Sequence, residues 1–241
     1  MPASELKKNN KMKKNDILFI LFFIALFLPF FLSKELFSFY ESFNKEHGMI
    51  TSFIKFAILA TIGEMIGLRI KSGVYNYRGF GIIPRAIVWG FLGLTIKMAF
   101  VLYASGVPVL IEYLGVDNAV VSLKGAFTTT KLLTAFSISV LINITYAPVM
   151  MTFHKITDTH IISNKGTIAG FFKPIKFSEI MINLNWSVQW NFVFKKTIPF
   201  FWIPAQTITF ILPVEYQILF AALLGIALGV ILAIASIKAK N

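Results

Sequence analysis

Apolar residues gather in six long blocks, at 16–39, 50–70, 82–103, 131–153, 197–212 and 216–237, and charged residues gather between them. Most blocks approach the ~20 residues that a helix needs to cross ~30 Å of hydrocarbon. Backbone polar groups must pair internally in lipid, so runs of this length predict helices rather than open strands. The expected fold is all-α: a polytopic membrane helical bundle with five or six transmembrane helices. Residues 1–39 read as a basic N-terminus and an uncleaved signal-anchor helix, because Pro29, Phe30 and Phe31 stand where a small-residue cleavage site would fall. Residues 40–241 read as the membrane domain.

The basic residues alternate in density from gap to gap. Five lysines precede the first block, Arg69, Lys71, Arg78 and Arg85 surround the second gap, six lysines lie between Lys155 and Lys196, and Lys238 and Lys240 follow the last block. The remaining gaps hold only Lys34, Lys45, Lys124 and Lys131. By the positive-inside rule both termini are expected in the cytoplasm of a cell that carries this protein in its plasma membrane. In a soluble protein a net charge of +12 would suggest nucleic acid. Here the cations flank apolar segments, so anionic lipid is the expected partner and nucleic acid is not. A homo-oligomer stays open.

The absence of cysteine removes disulfides and thiolate metal sites. His154, His160 and Asp158 invite a metal reading, but six residues of helix turn the two histidines to opposed faces. No metal or cofactor is expected. Nor does any serine, histidine and carboxylate set suggest an enzyme.

Polar residues inside the spans carry the candidate chemistry. Glu64 is foremost, since an ionisable side chain within a span implies a partner or a wet path. At 1.5 Å per residue, Arg85 lies at a similar depth and Lys97 much farther out, which makes Arg85 the expected partner. Asn143, Tyr146 and Gln206 complete the expected pore-lining or internal polar network with Glu64, Arg85 and Lys97. Two stripes of small residues recur at four-residue spacing. Ala135, Ser139, Asn143 and Ala147 form one; Ala221, Gly225, Gly229 and Ala233 form the other, expected to pack against the fourth or fifth span. Pro199, Pro204 and Pro213 should break the fifth span. Residues 182–192 alternate apolar and polar positions, expected as an interfacial stretch, and 75–81 and 157–174 read as turns.

Four motifs in order resemble the family of the Mpv-seventeen and twenty-two-kilodalton peroxisomal membrane proteins. These are His47, Thr51 and Gly63-Glu64; Pro84 and Trp89; Asn143 with Ala147-Pro148; and Trp202-Ile203-Pro204-Ala205-Gln206 with Phe210 and Pro213. Gly48 and Glu64 stand where that family has proline and aspartate. The resemblance covers residue 40 to the C-terminus and implies a small integral membrane protein that forms pores or supports metabolite exchange. A pore or channel-like facilitator for small solutes or ions is therefore the expected function. The alternative is a non-transporting structural or regulatory membrane protein.

Overall fold

The computed structural model describes the backbone of residues 14–238 and side chains as far as residue 231. Its helices are α1 (Lys14–Leu32), α2 (Lys34–Glu46), α3 (Gly48–Ser72), α4 (Ile82–Tyr113), α5 (Ala119–Ser122), α6 (Thr129–Ser163), α7 (Ile168–Phe171), α8 (Phe177–Asn183), α9 (Trp186–Val188), a π-helix (Gln189–Trp202), α10 (Ile203–Ile211) and α11 (Val214–Lys238). There is no strand among the described residues. Five helices, α1, α3, α4, α6 and α11, are long and apolar enough to cross a membrane. The chain is thus an all-α, multi-pass membrane protein.

Four elements depart from the expected boundaries. The first apolar block breaks at Ser33, whose hydroxyl accepts from the Leu36 N–H at 3.2 Å and so caps the start of α2. The helix α1 that precedes the break is lipid-facing, with Phe22, Phe31 and Leu32 all exposed. Farther on, α6 continues through 157–163, read as a turn from its polarity. Thr157 and His160 are buried there, with His160 bonded to the Phe171 carbonyl, so packing keeps the polar stretch helical. The alternating stretch 182–192 is helical as well apart from a break at Leu184 and Asn185, and Gln189 turns inward to burial. In the fifth span, Pro199 and Pro204 each remove a backbone donor and crowd the preceding turn. The backbone responds by widening: the Ile203 N–H reaches five residues back to the Ile198 carbonyl before α10 resumes α geometry.

Packing follows small residues. α3 lies between α4 and α11, and α6 lies between α4 and α10. At Gly93 of α4 an added Cβ would stand 2.7 Å from the Ser52 carbonyl of α3, so only glycine lets these helices meet. On the other face, a Cβ on Gly63 would come 3.0 Å from the Ile226 Cα, and one on Gly229 would come 3.1 Å from the Gly63 carbonyl. α11 therefore packs mainly on the second expected span, α3, with Gly229 as the stripe residue at that contact, rather than mainly on the fourth or fifth. Within that stripe Gly225 meets nothing within 4 Å, and the side chain of Ala233 lies outside the described residues. The stripe of α6 is buried along its whole length, and Ser139 donates to the Ile203 carbonyl at 2.7 Å. That bond satisfies a carbonyl at the point where the broken span changes helix type.

The two ends of the bundle are held differently. At the end carrying Arg69 and Lys71, Asp16 of α1 receives two bonds from Arg69, at 2.6 and 2.5 Å, and Tyr75 stacks on Phe19. Burial, reinforced by Asp16, pushes the Tyr75 phenol up to about 12. Gly81 and Gly166 sit at positive φ, and a Cβ on Gly81 would lie 2.9 Å from the Gly166 Cα, which joins the α3–α4 loop to the turn after α6. At the opposite end α2 caps the bundle. Asn44 accepts from Thr51 and Lys55, at 2.9 and 2.5 Å, and donates to the Glu215 carbonyl at 3.3 Å.

Candidate functional site: a cavity in one half of the bundle

Arg85 opens the first turn of α4, and each edge of its guanidinium has a partner. Nε donates to the Phe80 carbonyl at 2.8 Å, one Nη donates to Glu64 of α3, and the other pairs with Asp158 of α6. The Phe80 ring lies beneath, 4.3 Å from the guanidinium carbon. The two remaining groups complete the shell of Glu64: Trp89 Nε1 donates to its second oxygen at 2.8 Å, and His154 Nε2 lies 3.1 Å from the same oxygen. The ring of His154 also packs on Trp89, with centroids 4.3 Å apart. An uncompensated charge at this depth would cost several kcal/mol. Here two carboxylates, one guanidinium, an indole and an imidazole offset one another.

Helical spacing explains the assembly. Arg85 and Trp89 are four residues apart on α4, and His154 and Asp158 are four apart on α6, so each pair projects from one face toward Glu64. The pairing of Glu64 with Arg85 follows from depth along the sequence. The participation of Trp89, His154 and Asp158 does not, because reading 157–174 as a turn hid the one-turn repeat of His154 and Asp158.

Beside this cluster lies a cavity of about 540 Å³. Glu64, Trp89, His154 and Asp158 line it, whereas Arg85 sits behind them and does not. Along α6 the lining runs from Ile142 to Asp158, which is roughly 24 Å at 1.5 Å per residue. At the basic end the lining includes Lys71 and Lys155, both exposed. At the far end it stops at buried Phe56, Ile96 and Phe100. Beyond them Phe210 packs at a tilt against Phe100, ring centroids 4.8 Å apart, within an apolar core that includes Ile138 and Ala135.

An amide group and an indole both belong to the cavity lining. Asn143 is fully buried; its Nδ2 donates to the Ser139 carbonyl at 2.8 Å and to Gln206 Oε1 at 3.0 Å. Its Oδ1 has no hydrogen-bond partner among the described residues, and neither does Trp202 Nε1. Both residues line the cavity. Tyr146 also lines it and bonds Thr95 at 2.7 Å.

Glu64, Asn143, Tyr146 and Gln206 therefore meet at one cavity, with Arg85 bracing it. Lys97 does not belong. It lies by Gly48, where a Cβ on that glycine would be 3.6 Å from Lys97 Cε, in the half of the bundle capped by α2. Ala221, Gly225 and Gly229 contribute wall rather than polar groups, and their lack of side-chain bulk leaves the space open.

Profiles of known protein families, curated proteins and solved structures all fail to match this chain.

Proposed function

We propose that this protein is a membrane-embedded facilitator for small solutes, with the cavity as its solute site and the aromatic core around Phe100 and Phe210 as its closed gate. One observation carries the reading: buried groups with unused hydrogen-bonding capacity, Asn143 Oδ1 and Trp202 Nε1, share a cavity that reaches exposed lysines at one end only. A buried polar atom left unpaired costs about 1–3 kcal/mol. A protein built only for rigidity has no evident use for two such atoms beside 540 Å³ of space. The resemblance to the Mpv-seventeen family supports the same reading, because Gly63, Glu64, Trp89, Asn143, Ala147, Trp202 and Gln206, drawn from all four motifs, line this cavity. By the positive-inside rule the open, basic end faces the cytoplasm of a plasma membrane.

A second reading, a non-transporting structural protein, draws on the Glu64–Arg85–Asp158 ion-pair cluster, which clamps α3, α4 and α6. Flux decides between them. Purified protein in liposomes should raise the permeability to small solutes above that of protein-free vesicles. Gln206→Leu should lower flux per folded molecule by removing polar lining. Folded protein that moves no solute in a panel of neutral and charged probes would overturn the facilitator reading.

A further inference from the structure

A seam in the side of the cavity, its carbon walls and the charge at its mouth together select among solutes. We infer that the cavity binds a single-chain anionic amphiphile, such as a medium-chain fatty carboxylate, with its head at Lys71 and its tail along α6; the inference rests on the cavity being a solute site.

The ring of helices around the cavity is not closed. α3 packs on α4 and on α11, α4 packs on α6, and α6 packs on the π-helix and α10. α11 also packs on α10 near the turn that joins them, where Ile218 and Ala222 share a core with Phe210. Toward the basic end the π-helix and α11 both line the cavity, through Val193 and Thr197 on one and Leu228 and Gly229 on the other, yet these two helices do not pack together. Nor does α1 fill the seam, since it packs on α2 and none of its described residues lines the cavity. Both flanking helices carry exposed apolar side chains, Phe200 and Ile231 among them, as lipid-facing helices do. An alkyl chain can enter such a seam from the bilayer; a hydrophilic solute cannot.

The walls and the charges fit the two ends of that ligand. Leu68, Ile142, Met150, Met151, Val193 and Leu228 line the cavity, and a tail that displaces water from them gains apolar contact. Its volume, about 540 Å³, is ordinary for a ligand pocket. At the exposed basic end Lys155 is 3.2 Å from Asp158, whereas Lys71 has no ion-pair partner among the described residues. Glu64 lines the wall roughly 10 Å farther in along α3, and its partner Arg85 lies behind it, outside the lining. An anionic head is therefore attracted at the mouth and repelled deeper in, which points the tail toward Phe56 and Phe100. A cationic head meets the reverse pattern.

Trp89 and Trp202 line the cavity and report its occupancy. With Trp186→Phe and Trp190→Phe in place they are the only indoles left. Dodecanoate brominated at its tail end, added to this full chain in nanodiscs of zwitterionic lipid, should quench them saturably. Unlabelled dodecanoate should reverse the quenching, and dodecanol should compete at least tenfold less well. Lys71→Gln should raise the half-saturating concentration about threefold to fivefold, the scale of an exposed ion pair. Gly225→Leu puts bulk into the wall where nothing lies within 4 Å and should abolish the saturable part; if that variant does not fold, Lys71→Gln alone decides. Quenching that never saturates, equal competition by dodecanol, or unchanged affinity in either folded variant would each overturn the inference. So would loss of the signal in nanodiscs that contain an anionic two-chain lipid, which would make that lipid the occupant. Saturable binding without flux would instead remove the facilitator reading and leave the amphiphile site standing, and flux without saturable quenching would do the reverse.

Discussion

The bundle has two halves that share α3, α4 and α6. Toward the end capped by α2, α3, α4, α6, α10 and α11 meet through Phe56, Phe100, Ile138 and Phe210, all nearly or fully buried. Toward the basic end α3, α4 and α6 stand around a cavity and an ionic cluster. Two local choices separate the halves. Gly225 in the cavity wall faces space, whereas Gly93 admits a neighbouring backbone. Moreover, the fifth span lines the cavity with π-helical residues such as Val193 and Thr197 and with Gln206 of α10, and packs Phe210, one turn farther on, in the dry core. A membrane bundle thus acquires a one-sided cavity from where its side chains stop, without any change of topology.

The largest effect should come from unbalancing the ionic cluster. Arg85→Gln strands two carboxylates, and breaking a buried pair in this way typically costs about 3–5 kcal/mol. Adding Glu64→Gln removes one of the stranded charges, so the double variant should recover part of that loss. Folded fraction measured across a denaturation series checks it. Simple additivity of the two changes would mean that the groups are not coupled.

Glu64 and Arg85 were legible as partners because both lie in otherwise apolar spans at matching depth. His154 and Asp158 were not, since a polar stretch outside an apolar block gives no sign that α6 stays helical through it; the burial that keeps it helical comes from the α7 region. The fold class followed directly from block lengths. What remained hidden was contact specificity: the small stripe of α11 is visible as a stripe, yet the identity of its neighbour depends on Gly63 lying opposite Ile226 and Gly229. Lys97 shows the opposite failure. An intramembrane lysine carries the same signal as Glu64, but it lies by Gly48 and away from the cavity.

A smaller contrast separates core from wall. Phe210→Ala empties a fully packed position in the dry half and should cost about 3 kcal/mol. Gly225→Ala adds a methyl group where nothing lies within 4 Å and replaces glycine by a better helix former, so stability should stay level or rise by up to about 1 kcal/mol. Thermal unfolding in a fixed detergent compares the two. Equal destabilisation would show that the cavity wall is packed as tightly as the core.

Solvent access along α6 tests the division of the bundle most directly, and the absence of native cysteine leaves no background labelling. Single substitutions Met151→Cys, Ala147→Cys, Ile138→Cys and Ala135→Cys descend the helix from cavity to core. With a small hydrophilic thiol reagent on both sides of the bilayer, Met151→Cys and Ala147→Cys should react readily, because hydration favours the reactive thiolate. Ile138→Cys and Ala135→Cys should stay protected. Labelling at all four positions would reveal a continuous water path and no dry half; protection at all four would mean that the cavity is closed to water, and either result would contradict the account.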